Sequence, residues 1–402
     1  MSLTSTKDML EITEKYSAKN YLPLPVVISR GEGIWVWDME GRKYLDCLSA
    51  YSAVNQGHCH PKIVGALMEQ AKKLTLTSRA FHNDQMGPFL EKLCHTADME
   101  MALPMNTGAE AVETALKTAR KWGYIYKGVP KDKAEIIVCK NNFHGRTITI
   151  VGFSSEEQYR EGFGPFTPGF KLIEYGSLEA LEEAFTDNTV AFMVEPIQGE
   201  GGIIVPPEGY LEGAKKICRK NRALFILDEI QTGLGRTGKL FAYQYEPESK
   251  PDILILGKAL GGGVYPVSAV LSSKEILSVF RPGDHGSTFG GNPLGSAVGK
   301  AALEVIIEEE LPQKAFQLGD YLRTRLEELP QKHIAEIRGK GLMIGIEIKK
   351  ESGPARPFCE KLMEKGVLVK ETHEQVIRLA PPLIIQKEEL DIIVDALKEV
   401  LL

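Results

Sequence analysis

Hydrophobic and polar positions change period several times along the chain, and each change marks an element. Residues 33–49, "GIWVWDMEGRKYLDCLS", alternate apolar and polar about Met39-Glu40-Gly41, the pattern of a β-hairpin. Residues 60–74, "HPKIVGALMEQAKKL", switch to helical spacing behind Pro61, which suits a first helical turn. Short apolar runs then follow: "AEIIVCK" (134–140), "TVAFMVEP" (189–196), "ALFILDE" (223–229), "DILILGK" (252–258) and "PVSAVLSS" (266–273). Between them lie amphipathic stretches such as "GAEAVETALKTARKWGYIY" (108–126) and "GYLEGAKKICRKNR" (209–222). Strands that are apolar throughout, alternating with helices, predict an α/β fold with a mostly parallel central sheet and helices on both faces.

After Pro293 the texture changes. A long helical stretch, residues 294–329, is interrupted near Pro312. It is followed by strand-like "GLMIGIEIKK" (341–350), helix-like "PARPFCEKLMEKG" (354–366), strand-like "VIRLAPPLII" (376–385) and a last helix, "KEELDIIVDALKEVLL" (387–402). This predicts a smaller α+β domain over 310–402, a large domain over 52–309, and an N-terminal segment, 1–51, whose hairpin packs with the small domain. About fifty residues alone make a poor core.

At 402 residues, 43% hydrophobic and 25% charged, the chain has ordinary globular usage and room for a large core. A net charge of −6 argues against a nucleic-acid surface. No apolar run approaches the roughly 20 residues that span a bilayer, and the polar, acid-bearing start does not look like a secretory or organellar leader. Six scattered cysteines without a CxxC pair suit reduced thiols in a cytoplasmic protein. In "GHCHP", His58, Cys59 and His60 are neighbours. Adjacent residues rarely converge on one ion and no second cluster completes a tetrahedral set, so no metal is expected.

The candidate chemistry lies around "ILDEIQTGLGRTGKL", 226–240. Gly233, Gly238 and Lys239 match part of a phosphate-loop template, but Leu240 stands where a magnesium-holding hydroxyl is needed, and acids separate strand from glycines. The glycines are therefore expected in a tight loop running over the surface. Asp228 instead ends a strand, where open α/β sheets place their ligands. Lys258 ends the apolar run of 252–258 ahead of a glycine run. Either it faces a crevice, where desolvation makes its amine a nucleophile, or it snorkels out of the strand end.

An aspartate and a lysine on such strand ends suit pyridoxal phosphate. The lysine forms a Schiff base, and the carboxylate keeps the pyridine nitrogen protonated. The cofactor also needs a phosphate site. In "LPMNTGAEA" (103–111), Thr107, Gly108 and Ala109 open a long helix whose N-terminal amides would hold an anion.

Together with "SAYSAVNQGHCHPKI", "NFHGRT", "AFMVEPIQGEGG", "LGKALGGGVYPVSAV", "HGSTFGGNPLG" and "IRLAPPL", these stretches resemble the fold-type I, class III aminotransferases over nearly the whole chain, and most of all their members that act on ornithine. The resemblance implies pyridoxal 5'-phosphate as cofactor, with Lys258 carrying it, Asp228 on its ring nitrogen, Gln231 near its phenolic oxygen and Phe143 stacked on its face. Gly108 and Ala109 would serve the phosphate, and Thr288 would reach it from a partner subunit of a homodimer with shared active sites. Glu195 would stand just behind the cofactor.

The implied substrates are L-ornithine and 2-oxoglutarate. Ornithine presents its δ-amine, while the glutamate formed from 2-oxoglutarate carries an α-carboxylate beside the ring. Arg378 would bind that carboxylate, and Glu200 would pair with Arg378 when ornithine is bound. Arg146 and Tyr21 would hold the far end of ornithine, with Tyr51 lining the same pocket and Arg146 also taking the distal carboxylate of 2-oxoglutarate. The nearest rival is the branch of the family acting on N-acetylornithine; Tyr21 and Tyr51 favour ornithine. A cofactor-binding regulator on this fold would need a DNA-reading appendage, and no basic stripe or helix-turn-helix precedes the fold.

Overall fold

A computed structural model describes residues 5–402. Its strands, in chain order, are β1 Ile28–Glu32, β2 Trp35–Asp38, β3 Lys43–Asp46, β4 Met101–Met105, β5 Glu135–Cys139, β6 Phe170–Ile173, β7 Thr189–Val194, β8 Leu224–Asp228, β9 Ile253–Leu256, β10 Ser268–Ser272, β11 Ile334–Lys340, β12 Met343–Ile348, β13 Val367–Leu368, β14 Lys370–Thr372 and β15 Val376–Leu379.

Seven of them form the central sheet in the order β4-β10-β9-β8-β7-β5-β6, with β10 antiparallel to both its neighbours and the remaining pairs parallel. Successive residues feed opposite faces: Phe192 and Val194 enter one apolar cluster, Ala191 and Met193 the other. With both faces covered, β7 to β10 are buried at every position, which is why they read as unbroken apolar runs.

Two four-stranded sheets flank this body, β11-β12-β15-β14 and β1-β2-β3-β13. The hairpin β2–β3 is antiparallel, and β3 runs parallel to β13 from the C-terminal part of the chain. The long helical stretch is two helices, Pro293–Glu308 and Leu311–Glu327, separated where Glu310 takes a left-handed φ of 53°.

Two features depart from the pattern reading. A helix over Thr6–Tyr16, capped by Ser5, is missing from that reading; none of its residues is buried. The glycine loop 233–238 does not run over the surface. Every residue in it is buried, and Arg236 is fully enclosed. Among the described residues, no helix is long and apolar enough to cross a membrane.

Candidate active site

The C-terminal ends of β7, β8 and β9 open on a cavity of about 210 Å³. Asp228 closes β8, and Lys258 stands just past β9 with a left-handed φ of 46°, opening a short 3-10 turn. Both line the cavity, as do Gly108, Ala109, Phe143, Glu195, Glu200 and Gln231. Burial lowers the Lys258 ammonium pKa, against the opposing charge of Glu200. Lys258 thus faces this cavity.

Asp228 is oriented by two donors. Its Oδ1 accepts from the Ile230 amide at 3.0 Å, and its Oδ2 lies 2.7 Å from His144 Nδ1. The His144 ring is buried; burial alone would lower its pKa, but the contact with Asp228 outweighs this and raises it. Glu195, just past β7, accepts from the Phe143 amide at 2.9 Å and from the Gly199 amide at 3.2 Å. Burial pushes its carboxyl up to about 7.

Opposite these groups the helix Gly108–Trp122 points its N-terminus at the cavity. Thr107 is its N-cap, accepting from the Glu110 amide at 3.2 Å, while Glu110 reaches back to the Thr107 amide at 3.1 Å. Thr107 is exposed and does not line the cavity; Gly108 and Ala109 do. A Cβ on Gly108 would lie 3.0 Å from Ile230 Cδ1, so a larger residue there would require the tip of that side chain to give way.

A second, open cleft of about 800 Å³ adjoins the first, and Phe143 and Glu200 line both. It brings together Tyr21, Tyr51, Arg146, Glu200 and Arg378, five residues drawn from across the chain. Arg378, on β15, is buried and donates through Nη1 to Glu200 Oε1 and through Nη2, at 3.1 Å, to Oε2. Gln231 Nε2 donates to the same carboxylate at 3.3 Å. A Cβ at position 199 would fall 1.8 Å from Gln231 Oε1, so Gly199 is what allows that approach. Burial would raise the Glu200 pKa, but Arg378 overrides it and holds the carboxyl at about 2. The guanidinium of Arg378 also lies 5.0 Å from the Tyr51 ring centroid.

Arg146 is exposed, with its guanidinium 3.6 Å over the Tyr159 ring. Tyr21, 75% exposed, sits on a segment tied down by Arg356, which donates to the carbonyls of Leu22 and Pro23, each at 3.0 Å. Thr288 is exposed and lines neither space. Its loop is fastened to this chain by Asn106 Nδ2, which donates to Ser287 Oγ at 2.7 Å.

His144, Tyr159 and Arg356 were not singled out from the sequence. His144 lay within a quoted motif, next to Phe143, and that adjacency was the available signal. Tyr159 and Arg356 had none. In "GHCHP", His58 and His60 are engaged separately, with Asp46 at 2.7 Å and Glu309 at 2.8 Å.

The cavity suits a phosphorylated pyridine aldehyde: a recessed amine, a fixed carboxylate and a helix N-terminus surround it. The Gln231 Oε1 and His144 Nε2 atoms are buried without partners in the protein.

Comparison with known proteins agrees with this chemistry. Residues 16–401 match the family model for class-III aminotransferases. The ornithine aminotransferase of Brevibacillus brevis is 60% identical over 399 residues, covering 99% of this chain and 99% of its own. A structure of the Toxoplasma gondii ornithine aminotransferase, described as having partial occupancy of PLP at its active site, aligns with a TM-score of 0.97 at 46% identity, covering 99% of this chain and 94% of that one. The acetylornithine aminotransferase of Elizabethkingia anophelis aligns with a TM-score of 0.89 at 49% identity, covering 98% of each chain.

Proposed function

The chain belongs to the class-III aminotransferases, and from that premise we propose that it transfers the δ-amino group of L-ornithine to 2-oxoglutarate, yielding glutamate 5-semialdehyde and glutamate. Its cofactor is pyridoxal 5'-phosphate. When bound, the group supplies a protonated ring that accepts the electrons released at the carbon bearing the reacting nitrogen.

Lys258 would hold it, burial lowering its ammonium pKa, and its Nζ would also lift the proton from that carbon. Asp228, aligned by His144 and the Ile230 amide, would keep the ring nitrogen protonated. Gly108 and Ala109 would offer amides to the phosphate. Phe143 would cover the ring, Gln231 would approach its phenolic oxygen, and Glu195 would fix the backbone on which Phe143 stands.

The observation that carries the substrate reading is the two-point contact of Arg378 with Glu200 at the junction of the two spaces. An arginine beside the reacting centre suits the α-carboxylate of glutamate. For ornithine, which offers only methylenes there, it would be an unpaired buried charge. Glu200 neutralises it in that half-reaction and yields it in the other. Arg146, with Tyr21 and Tyr51, would receive the distal ends of both substrates. The exposure of Thr288 in a single chain supports a homodimer in which this hydroxyl completes the partner's phosphate site.

The test supplies L-ornithine and N-acetyl-L-ornithine side by side with 2-oxoglutarate. Strong preference for ornithine, with the semialdehyde cyclising to pyrroline-5-carboxylate, is the expected result. Preference for the acetylated substrate would overturn the reading of the distal cleft.

A further inference from the structure

The loop 233–238 takes no part in the functions described above, yet its Arg236 is among the largest fully buried side chains of the protein. No carboxylate pairs with it among the described residues. Its three hydrogen bonds go to neutral acceptors on three separate segments. Nη1 donates to the Leu342 carbonyl at 2.9 Å and to the Pro381 carbonyl at 2.7 Å, and Nη2 donates to Asn55 Oδ1 at 2.6 Å. Further hydrogen bonds reinforce this junction. Leu342 N donates to Arg236 O at 3.1 Å, Asn55 Nδ2 to Leu234 O at 3.2 Å, and Leu383 N to Asn55 O at 2.8 Å.

Two of these three segments, and the stretch that bears Arg236 itself, also carry the substrate site. Asn55 follows Tyr51, Pro381 follows Arg378, and Arg236 itself follows Asp228 and Gln231 on one continuous stretch. A buried cation among neutral acceptors is a poor device for stability alone. A planar guanidinium is a good device for holding two backbone carbonyls and a side-chain amide at fixed angles, because its donors diverge in one plane; an ammonium has no such fork.

We propose that Arg236 is a positioning residue for the second half-reaction: it sets Arg378, on one side of the junction, at the distance from Gln231 and Asp228 that 2-oxoglutarate requires. The inference rests on the assignment of Arg378 to the α-carboxylate. The ornithine half-reaction is expected to tolerate a small shift of Arg378, since Glu200 moves with its charge partner. The 2-oxoglutarate half-reaction is not, because the carboxylate must meet Arg378 and the reacting centre at once.

The two half-reactions are followed separately by stopped-flow absorbance in the holoenzyme for Arg236→Lys, Asn55→Ala and Arg378→Lys. Arg236→Lys is expected to weaken apparent 2-oxoglutarate binding about tenfold or more and Asn55→Ala severalfold, with ornithine binding changed by less than about threefold. Equal losses in both half-reactions, the signature of general loosening, would overturn the proposal, as would unchanged 2-oxoglutarate binding in the Arg236 and Asn55 variants while Arg378→Lys loses it. If Arg378→Lys itself binds 2-oxoglutarate normally, the assignment of Arg378 falls and the proposal with it. Should Arg236→Lys fail to fold, the ratio measured in Asn55→Ala decides.

Discussion

His144 Nδ1 lies 2.7 Å from Asp228 Oδ2, in the wall of the cavity that Lys258 enters. The contact fixes the carboxylate plane and, with the Ile230 amide on the other oxygen, leaves Asp228 little freedom to turn. A charge-assisted hydrogen bond of this kind is worth about 1.5–3 kcal/mol. His144→Phe is therefore expected to lower kcat for both half-reactions by roughly 10- to 100-fold and to weaken cofactor retention. Steady-state kinetics and equilibrium dialysis of the cofactor check this. Rates within twofold of the parent would remove His144 from the role.

Lys258→Ala is expected to lower turnover about a thousandfold or more, the scale of a lost general base and anchor together. The visible absorbance of the lysine-bound cofactor should vanish with it. Persistence of either property in the purified variant would contradict the assignment.

Arg146 has no carboxylate partner among the described residues and lies over Tyr159. Under the proposed function it accepts a carboxylate from either substrate at the far end of the cleft. Arg146→Met should raise KM for ornithine and 2-oxoglutarate alike, by about tenfold or more, with smaller changes in kcat. Tyr159→Leu should move both constants in the same direction by a few-fold, the scale of a cation–π contact. An effect confined to one substrate would mean that Arg146 is not a shared contact.

The ion pair of Glu200 and Arg378 has a pH signature. Arg378 depresses the folded-state pKa of Glu200 to about 2, below its ordinary 4.5, despite burial. A depressed carboxylate contributes stability that is fully present above the unfolded pKa and is lost as pH falls through the folded one. The stability difference between the parent and Glu200→Gln should thus be constant above about pH 5 and shrink between about 4.5 and 2. Urea unfolding across that range measures it; a difference that grows on acidification would contradict the sign.

The central sheet and the positions of Asp228 and Lys258 were legible because both depend on local pattern. Strands buried on both faces announce themselves as apolar runs, and polar residues at their C-terminal ends stand out. The pairing of Arg378 with Glu200 was legible only through family motifs, since no local rule joins residues so far apart in the chain. The loop that bears Arg236 was expected at the surface and is buried, for a physical reason. A glycine-rich loop normally runs over the surface, where its backbone is hydrated. Here the buried loop is satisfied by hydrogen bonds to segments around Asn55, Leu342 and Pro381, which composition cannot reveal. The helix Thr6–Tyr16 escaped among its many polar residues, although Met9, Ile12 and Tyr16 recur at helical spacing. Tyr159 and Arg356 escaped because their roles exist only once distant segments meet.

The central claim is that Glu200 hides Arg378 from ornithine and releases it for glutamate. The most direct measurement is the first half-reaction of Glu200→Ala, with L-ornithine and L-glutamate as alternative amino donors under single-turnover conditions. With Arg378 left uncovered, ornithine should react more slowly and glutamate faster, so that the ornithine-to-glutamate preference falls about tenfold or more. A preference unchanged from the parent enzyme would contradict the account.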